Sequence, residues 1–189
     1  MSWYNTKSLL STSVVLLCGM LLLSSCGESD AANASENDSD YYAVQSFFKK
    51  EADSLQHNNP IVQKTVGKDD EKESKTLHIK DWNTELSAFL SVDLSKAAYQ
   101  DMYDVDSTSQ KITYTAKSDD VDVQSLSIDF DNAGQVSAIT VVRNESNFLY
   151  QNKEKLSYIR GKEYTMSKEQ HILLLGTNQY QIVGNFTAE

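Results

Sequence analysis

The sequence is poor in the residues that mark several special classes of protein. It contains one proline and seven glycines in 189 residues, which excludes a collagen-like chain. Basic residues are also in the minority, because 17 Lys and Arg face 27 Asp and Glu for a net charge of −10. A protein held mainly by phosphate backbones needs the opposite balance. Nucleic acid is therefore not expected as a partner.

The sequence also lacks the motifs of common catalytic and metal sites. It has no Gly-x-Ser-x-Gly elbow, no P-loop, no dinucleotide fingerprint and no paired Cys or His at metal-binding spacing. Its only histidines are His57, His78 and His171, and the first two are expected at the surface. We expect no catalytic residue, no metal and no cofactor, and hence a protein that is not an enzyme.

One stretch superficially resembles the start of a calcium-binding loop. Asp129 to Gly134 has acids at the first and third positions and glycine at the sixth. The fifth and twelfth positions are Ala133 and Thr140, where a calcium loop needs other oxygen ligands. A β-hairpin turn with Gly134 in a left-handed conformation explains the same residues.

The N-terminus reads as a secretion signal. Lys7 precedes an apolar run from Ser13 to Leu23, which is shorter than the roughly 20 residues of a membrane-spanning helix. The next feature looks like a bacterial lipobox, in which signal peptidase cuts before a lipidated cysteine. Its residues are Leu23, Ser24, Ser25 and Cys26. Residues 1–25 should be removed as a lipoprotein signal peptide. The alternatives are a general secretion signal with an incidental cysteine, or an uncleaved anchor.

Lipidation of Cys26 would fix the location of the protein. Acyl chains on this residue would hold the domain to the membrane, since two chains are about what stable anchoring requires. The other cysteine, Cys18, would leave with the signal. No intramolecular disulfide is then possible, and the expected location is the bacterial cell envelope.

After the signal, the composition divides the chain into two parts. Gly27 to Asp40 contains five acids and no aromatic or large aliphatic residue, so it cannot bury enough apolar area to offset the entropy of ordering. Residues 26–40 are therefore expected to be the lipidated cysteine and a disordered acidic tether. Residues 41–189 should form a single globular domain.

Hydrophobic periodicity predicts an α+β fold for that domain. Apolar residues from Tyr41 to Leu55 recur at helical spacing, Ile61 to Val66 and Ser74 to Ile79 predict a hairpin, and Asp81 can cap a second helix. From Tyr103 onward the period is two, with turns every ten to twelve residues. We predict N-terminal helices packed on a strongly twisted antiparallel β-meander of about seven to nine strands.

Two apolar features have more than one interpretation. The tyrosines of the strand patterns could stack on sugars, but tyrosine is common in strands, and a core position is favoured. The run Ile172 to Leu175 is either a strand buried on both faces or the lining of a groove, and burial is favoured. The tyrosines concerned are Tyr114, Tyr158, Tyr164 and Tyr180.

With its lipobox, acidic tether and Tyr- and Asp-rich meander, the chain resembles small lipoproteins of Bacteroidota. In that phylum acids after the lipidated cysteine resemble an export signal to the outer surface, and Glu28 and Asp30 fit this loosely. The resemblance also implies possible O-glycosylation at Ser54 and Ser107, which follow Asp53 and Asp106. In outline the fold is similar to the periplasmic carriers of lipoproteins, which is an analogy of fold alone.

These observations favour a membrane-anchored lipoprotein with a non-enzymatic binding or interaction module. Its partner would be a protein, an apolar (lipid) ligand or a glycan. The outer membrane is the expected location, with the periplasmic and surface faces both open. The alternatives are an envelope enzyme that acts on glycans or lipids through carboxylates, and a purely structural envelope component.

Overall fold

The computed structural model describes residues 41–99 and 101–187. The lipobox, Leu23 to Cys26, and the acidic tether lie outside the described residues. No helix in the described part of the chain has the length and apolar character needed to cross a membrane.

Nine antiparallel strands form one twisted open sheet, which confirms the predicted α+β class. The strand order is β2-β1-β9-β8-β7-β6-β5-β4-β3, so the C-terminal seven strands are a meander. The predicted N-terminal hairpin pairs with the last strand, β9. Its turn is tighter than expected, because β1 and β2 are separated only by Asp69 and Asp70. The strands are β1 Ile61–Lys68, β2 Glu71–His78, β3 Tyr103–Ser107, β4 Lys111–Ala116, β5 Val123–Phe130, β6 Val136–Ser146, β7 Tyr150–Ile159, β8 Glu163–Ile172 and β9 Gly176–Phe186.

The long helix α1, Val44–Asn58, packs on one face of this sheet, which we call the inner face. Phe48, Ala52 and Leu55 are buried at helical spacings. The helix begins three residues later than predicted, because the backbone amide of Tyr42 donates to the Tyr114 hydroxyl at 2.9 Å. No side chain caps its first turn, and Asn59 ends it in the left-handed conformation.

The second predicted helix is divided into two short ones, α2 Trp82–Glu85 and α3 Ser87–Leu90. Asp81 caps α2 as predicted, since its carboxylate accepts hydrogen bonds from the amides of Asn83 and Thr84. A 3₁₀ helix, Ala97–Tyr99, precedes the meander.

The core lies between the inner face and these helices. Aromatic side chains fill it: the Phe48 ring lies 4.7 Å from that of Phe89 and 5.3 Å from that of Tyr158, measured between centroids. Trp82 and Tyr164 form a second group with Phe186. The side chains that are at most 1% exposed include Trp82, Tyr114, Tyr158, Tyr164, Phe48, Phe89, Leu86, Leu126, Ile128, Ile139 and Leu156.

Several local predictions are confirmed. Gly134 has φ 73° in the β5–β6 turn, and the Asp131 carboxylate accepts hydrogen bonds from the amides of Ala133 and Gln135. The stretch that resembled a calcium loop is therefore a hairpin turn. His57 and His78 are exposed.

The prediction for the apolar run was wrong. Leu173, Leu174 and Leu175 are neither a buried strand nor the lining of a groove, because they form the turn between β8 and β9. Their exposed fractions are 49%, 96% and 77%. A continuous apolar run in the sequence does not by itself distinguish an exposed apolar turn from a strand that is buried on both faces.

Candidate functional site

The inner face changes from apolar to polar toward the β6–β7 and β8–β9 turns. Leu156 of β7 is buried in the core. Two residues nearer the turn, Glu154 stands directly between Arg143 of β6 and Lys168 of β8. One guanidinium nitrogen of Arg143 lies 3.3 Å from the Glu154 carboxylate. These three residues form a row across the strands. Opposite charges on paired strand positions attract one another, so the attraction helps to fix the positions of these side chains.

The next row toward the turns contains Glu145, Asn152 and Gln170 on the same three strands. The Gln170 amide donates to the Asn152 oxygen at 3.0 Å, and the Asn152 amide donates to Glu145 at 3.2 Å. The Tyr150 hydroxyl donates to the other Glu145 oxygen at 2.6 Å. Hydrogen bonds from Tyr150 and then Asn152 lower the pKa of the Glu145 carboxyl.

These two rows form the floor of a polar cleft of about 350 Å³. Asp122, which precedes β5, accepts a hydrogen bond from the Tyr99 hydroxyl at 2.7 Å. Arg143 donates to the Ser91 hydroxyl at 2.9 Å, which ties the sheet to the end of α3. The cleft therefore presents carboxyl and amide groups that already have hydrogen-bond or ion-pair partners within the fold. Its main lining residues are Asp122, Arg143, Glu145, Asn152, Glu154 and Lys168.

The opposite, outer face of the same strands carries a larger concavity of about 480 Å³, which we call the trough. It reaches from Lys72 on β2 to Asn144 on β6. Most of the side chains that line it are lysines, amides and hydroxyls rather than apolar groups. They include Lys72, Asn144, Lys153, Lys155, Ser167, Gln179 and Gln181.

The trough is locally basic in an acidic protein. Among the described residues, none of its lysines lies within 4.0 Å of a carboxylate oxygen, whereas other lysines of the chain do form ion pairs. Three acids, Asp69, Glu154 and Glu169, also border the trough. The lysines whose side chains lie on this outer face are Lys72, Lys153 and Lys155, whereas Lys168 borders the trough from the inner face, where its partner on β7 is Glu154.

Tyr180 borders the trough as well, but its side chain lies on the inner face, because its partner on β8 is Lys168. The prediction of a core position for this tyrosine was wrong, since it is 38% exposed, whereas Tyr114, Tyr158 and Tyr164 are buried as predicted. The ammonium group of Lys68 lies 5.7 Å from the centre of the Tyr180 ring. The β9 strand reaches past the helices here, so its inner-face residues lose their apolar cover.

The residues that the sequence singled out lie elsewhere. Leu23, Ser24, Ser25 and Cys26 are outside the described residues. Ser54 on α1 and Ser107 on β3 are both exposed, so modification of either side chain is sterically open. Sequence reasoning missed the lysines of the trough, because three strands supply them. The only local signal is the spacing of Lys153 and Lys155, which places both on one face of β7.

The described residues contain no group of three or more His, Cys, Asp or Glu side chains that could hold a metal ion. Comparison with protein-family models, curated protein sequences and solved structures found no match to this chain.

Proposed function

We propose that this protein is a lipid-anchored, non-enzymatic binding module of the bacterial cell envelope, and that the trough binds an acidic glycan. The observation that carries the proposal is the group of lysines without carboxylate partners in a concavity of about 480 Å³. Cys26 would supply the anchor through its acyl chains.

The chemistry of the trough suits a carbohydrate with acidic groups. Lysine ammonium groups donate hydrogen bonds to carboxylates and sulfates, and amide and hydroxyl side chains bond sugar hydroxyls. Gln179 and Gln181 lie on one face of β9 and provide such amides.

The filled core is an argument against an apolar ligand, and so it favours a glycan. A lipid carrier needs open space between its sheet and its helices. In this fold the fully buried rings of Phe48, Phe89, Trp82 and Tyr158 occupy that region. The polar cleft is lined largely by charged and amide side chains, which a hydrocarbon chain would have to desolvate.

The test is calorimetric titration of the full chain in detergent with polygalacturonate, an acidic glycan, and with dextran, a neutral one. We expect binding of polygalacturonate that weakens as salt is added, since added ions screen exposed charges. The double variant Lys153→Gln/Lys155→Gln should weaken this binding at least several-fold.

The matched control is Lys49→Gln/Lys50→Gln, which makes the same change in net charge on the exposed side of α1. Equal loss of binding in both double variants would mean that overall charge, not the trough, attracts the glycan. No binding of either polysaccharide by the unaltered chain would overturn the assignment of an acidic glycan.

A second candidate, hydrolysis of an envelope glycan, is favoured by one observation: Glu145 and Glu154 both line the polar cleft. Such chemistry needs one carboxyl to give up a proton near neutral pH. The lowered pKa of Glu145 suits a hydrogen-bond acceptor better than an acid. Release of reducing sugar by the unaltered chain, lost in Glu154→Gln, would support this candidate over simple binding.

A further inference from the structure

Among the large apolar side chains of the described residues, the five with the highest exposed fractions lie on two neighbouring turns. Phe148 and Leu149 form the turn between β6 and β7 and are 87% and 61% exposed. Leu173, Leu174 and Leu175 form the turn between β8 and β9. The amide of Leu173 donates to the carbonyl of Leu149 at 2.9 Å, so the two turns lie side by side. We call these five residues the apolar tip.

The apolar tip projects beyond the strands on either side. The β1–β9 ladder ends at Lys68 and Tyr180, whereas the β8–β9 ladder continues for four more pairs to Ile172 and Gly176. On the other side, the β6–β7 ladder continues for three pairs beyond Arg143, where β5 stops. At about 3.4 Å per residue, the four central strands extend about 10 Å past their neighbours.

The residues next to the apolar tip are free of Asp, Glu, Lys and Arg, and the projecting parts of the strands carry charges only farther back, at Glu145, Lys153 and Glu169. Residues 146–152 contain none, and residues 170–181 contain only His171 as a titratable group apart from Tyr180. Charged residues make up 23% of the chain as a whole, so these two stretches are unusual. Charged side chains cost free energy when they enter the hydrocarbon region below the interface, so an uncharged segment can insert more deeply.

Much of the backbone of these turns is already hydrogen-bonded. The Asn147 side-chain oxygen accepts bonds from the amides of Leu149 and Tyr150 at 2.8 and 3.0 Å. The amide of Leu175 donates to the carbonyl of Ile172 at 3.0 Å. Backbone groups that are bonded internally can leave water at little cost.

The β8–β9 turn holds a strained residue at its most exposed point. Leu174 has φ 69°, in the left-handed region where glycine or asparagine is usual, and its side chain is 96% exposed. Neither burial in the fold nor backbone preference accounts for leucine at this position. Strain that the fold does not need is characteristic of a functional site.

We propose that the apolar tip inserts into the interface of a lipid bilayer. The two turns and the uncharged strand residues next to them are comparable in depth to the roughly 5–10 Å to which apolar groups of interfacial segments are buried. A folded partner would need a complementary pocket, whereas a fluid bilayer accepts two adjacent turns without one. This inference does not rest on the trough or on its ligand.

The test measures the depth of a tryptophan placed in the apolar tip. The full chain with Leu174→Trp is reconstituted in vesicles of phosphatidylethanolamine and phosphatidylglycerol in equal parts, with bromine at known depths on the acyl chains. We expect a blue-shifted emission and strong quenching by bromine close to the interface. The native Trp82 is buried, and its emission in the unaltered chain is subtracted.

The matched control is Thr108→Trp, in the exposed β3–β4 turn, which should not be quenched although the same anchor holds the protein to the vesicle. A reporter at Phe148→Trp should lose most of its quenching when Leu174→Ser and Leu175→Ser are added, because insertion then loses two of its apolar groups.

Absence of quenching at position 174, with unchanged near-ultraviolet circular dichroism, would overturn the proposal. Self-association of the full chain in detergent, abolished by Leu174→Ser and Leu175→Ser, would instead assign the apolar tip to contact with a second copy. Equal quenching at positions 174 and 108 would show that the anchor alone brings the domain close to the lipid.

Discussion

At the scale of single residues, the ring of Tyr164 packs directly over Gly184. The two residues are paired on β8 and β9, and the tyrosine ring occupies the space that a Cβ atom at position 184 would need. The Tyr164 hydroxyl donates to Glu85 at 2.7 Å, and the other Glu85 oxygen lies 2.7 Å from the ammonium group of Lys64. Glycine thus allows a buried hydroxyl to reach its partner.

Substitution of Gly184 by alanine should destabilise the protein by about 1–3 kcal/mol, because Tyr164 must leave its position and its bond to Glu85. The measurement is the free energy of unfolding in urea. The control Asn185→Ala, on the outer face of the same strand, should change it by less than about 0.5 kcal/mol. Equal effects of the two variants would mean that the packing of the ring is unimportant.

At the scale of elements, the β8–β9 hairpin combines regular pairing with an irregular turn. All ten residues of β8 pair with β9, so the strands hold the turn in one geometry. That geometry places Leu174 in the left-handed region. The hairpin thus supports a conformation that leucine by itself disfavours.

Replacement of Leu174 by glycine should therefore stabilise the isolated protein by about 0.5–1 kcal/mol, since glycine adopts this conformation without a steric cost. Little burial is lost, because the side chain is 96% exposed. The control Leu173→Gly, at a residue without positive φ, should destabilise. Urea unfolding in detergent-free buffer compares the two, and destabilisation by Leu174→Gly would show that the turn is unstrained.

At the scale of the whole molecule, the buried tyrosines make stability depend on alkaline pH. Burial raises the pKa of Tyr103, Tyr158 and Tyr164 well above the usual 10. The Tyr158 hydroxyl also donates to Glu51 at 2.7 Å, and the charge of that carboxylate opposes ionisation. The folded protein therefore keeps these protons at a pH where the unfolded chain releases them.

Stability should be independent of these tyrosines below about pH 9 and should fall above about pH 10, by up to about 1.4 kcal/mol per pH unit for each of them. The sign follows because the unfolded state then binds fewer protons than the folded state. Urea unfolding between about pH 8 and pH 11 measures the slope. Tyr158→Phe should reduce stability at neutral pH and make the alkaline slope shallower, and an unchanged slope would contradict the assignment.

The proposed lipid anchor is also tested at the scale of the whole molecule. Cys26→Ala should leave an unprocessed precursor that does not incorporate radioactive palmitate, because the modified thiol is missing. Cys18→Ala is the control and should be processed and labelled normally. Labelling of the Cys26→Ala protein would remove the basis of the proposed location.

The main helices and strands could be predicted from the sequence because their signals are local. The helical spacing of Phe48, Ala52 and Leu55, the cap at Asp81 and the alternation of the meander each depend on neighbours in the chain. The fold class and most of the core followed from these patterns. The start of α1 did not, because Tyr42 is held by the distant Tyr114.

The sequence by itself determined the alternation of the strands and the long helix, and it is the sole basis for predicting secretion and lipidation. Only the tertiary structure decided that the N-terminal hairpin pairs with β9, which brings Lys72 toward Lys153 and Lys155 around one trough. It also decided that an apolar run such as Leu173 to Leu175 forms a projecting turn. Periodicity reports which face of an element is apolar, whereas pairing between distant strands sets which side chains meet and which remain exposed.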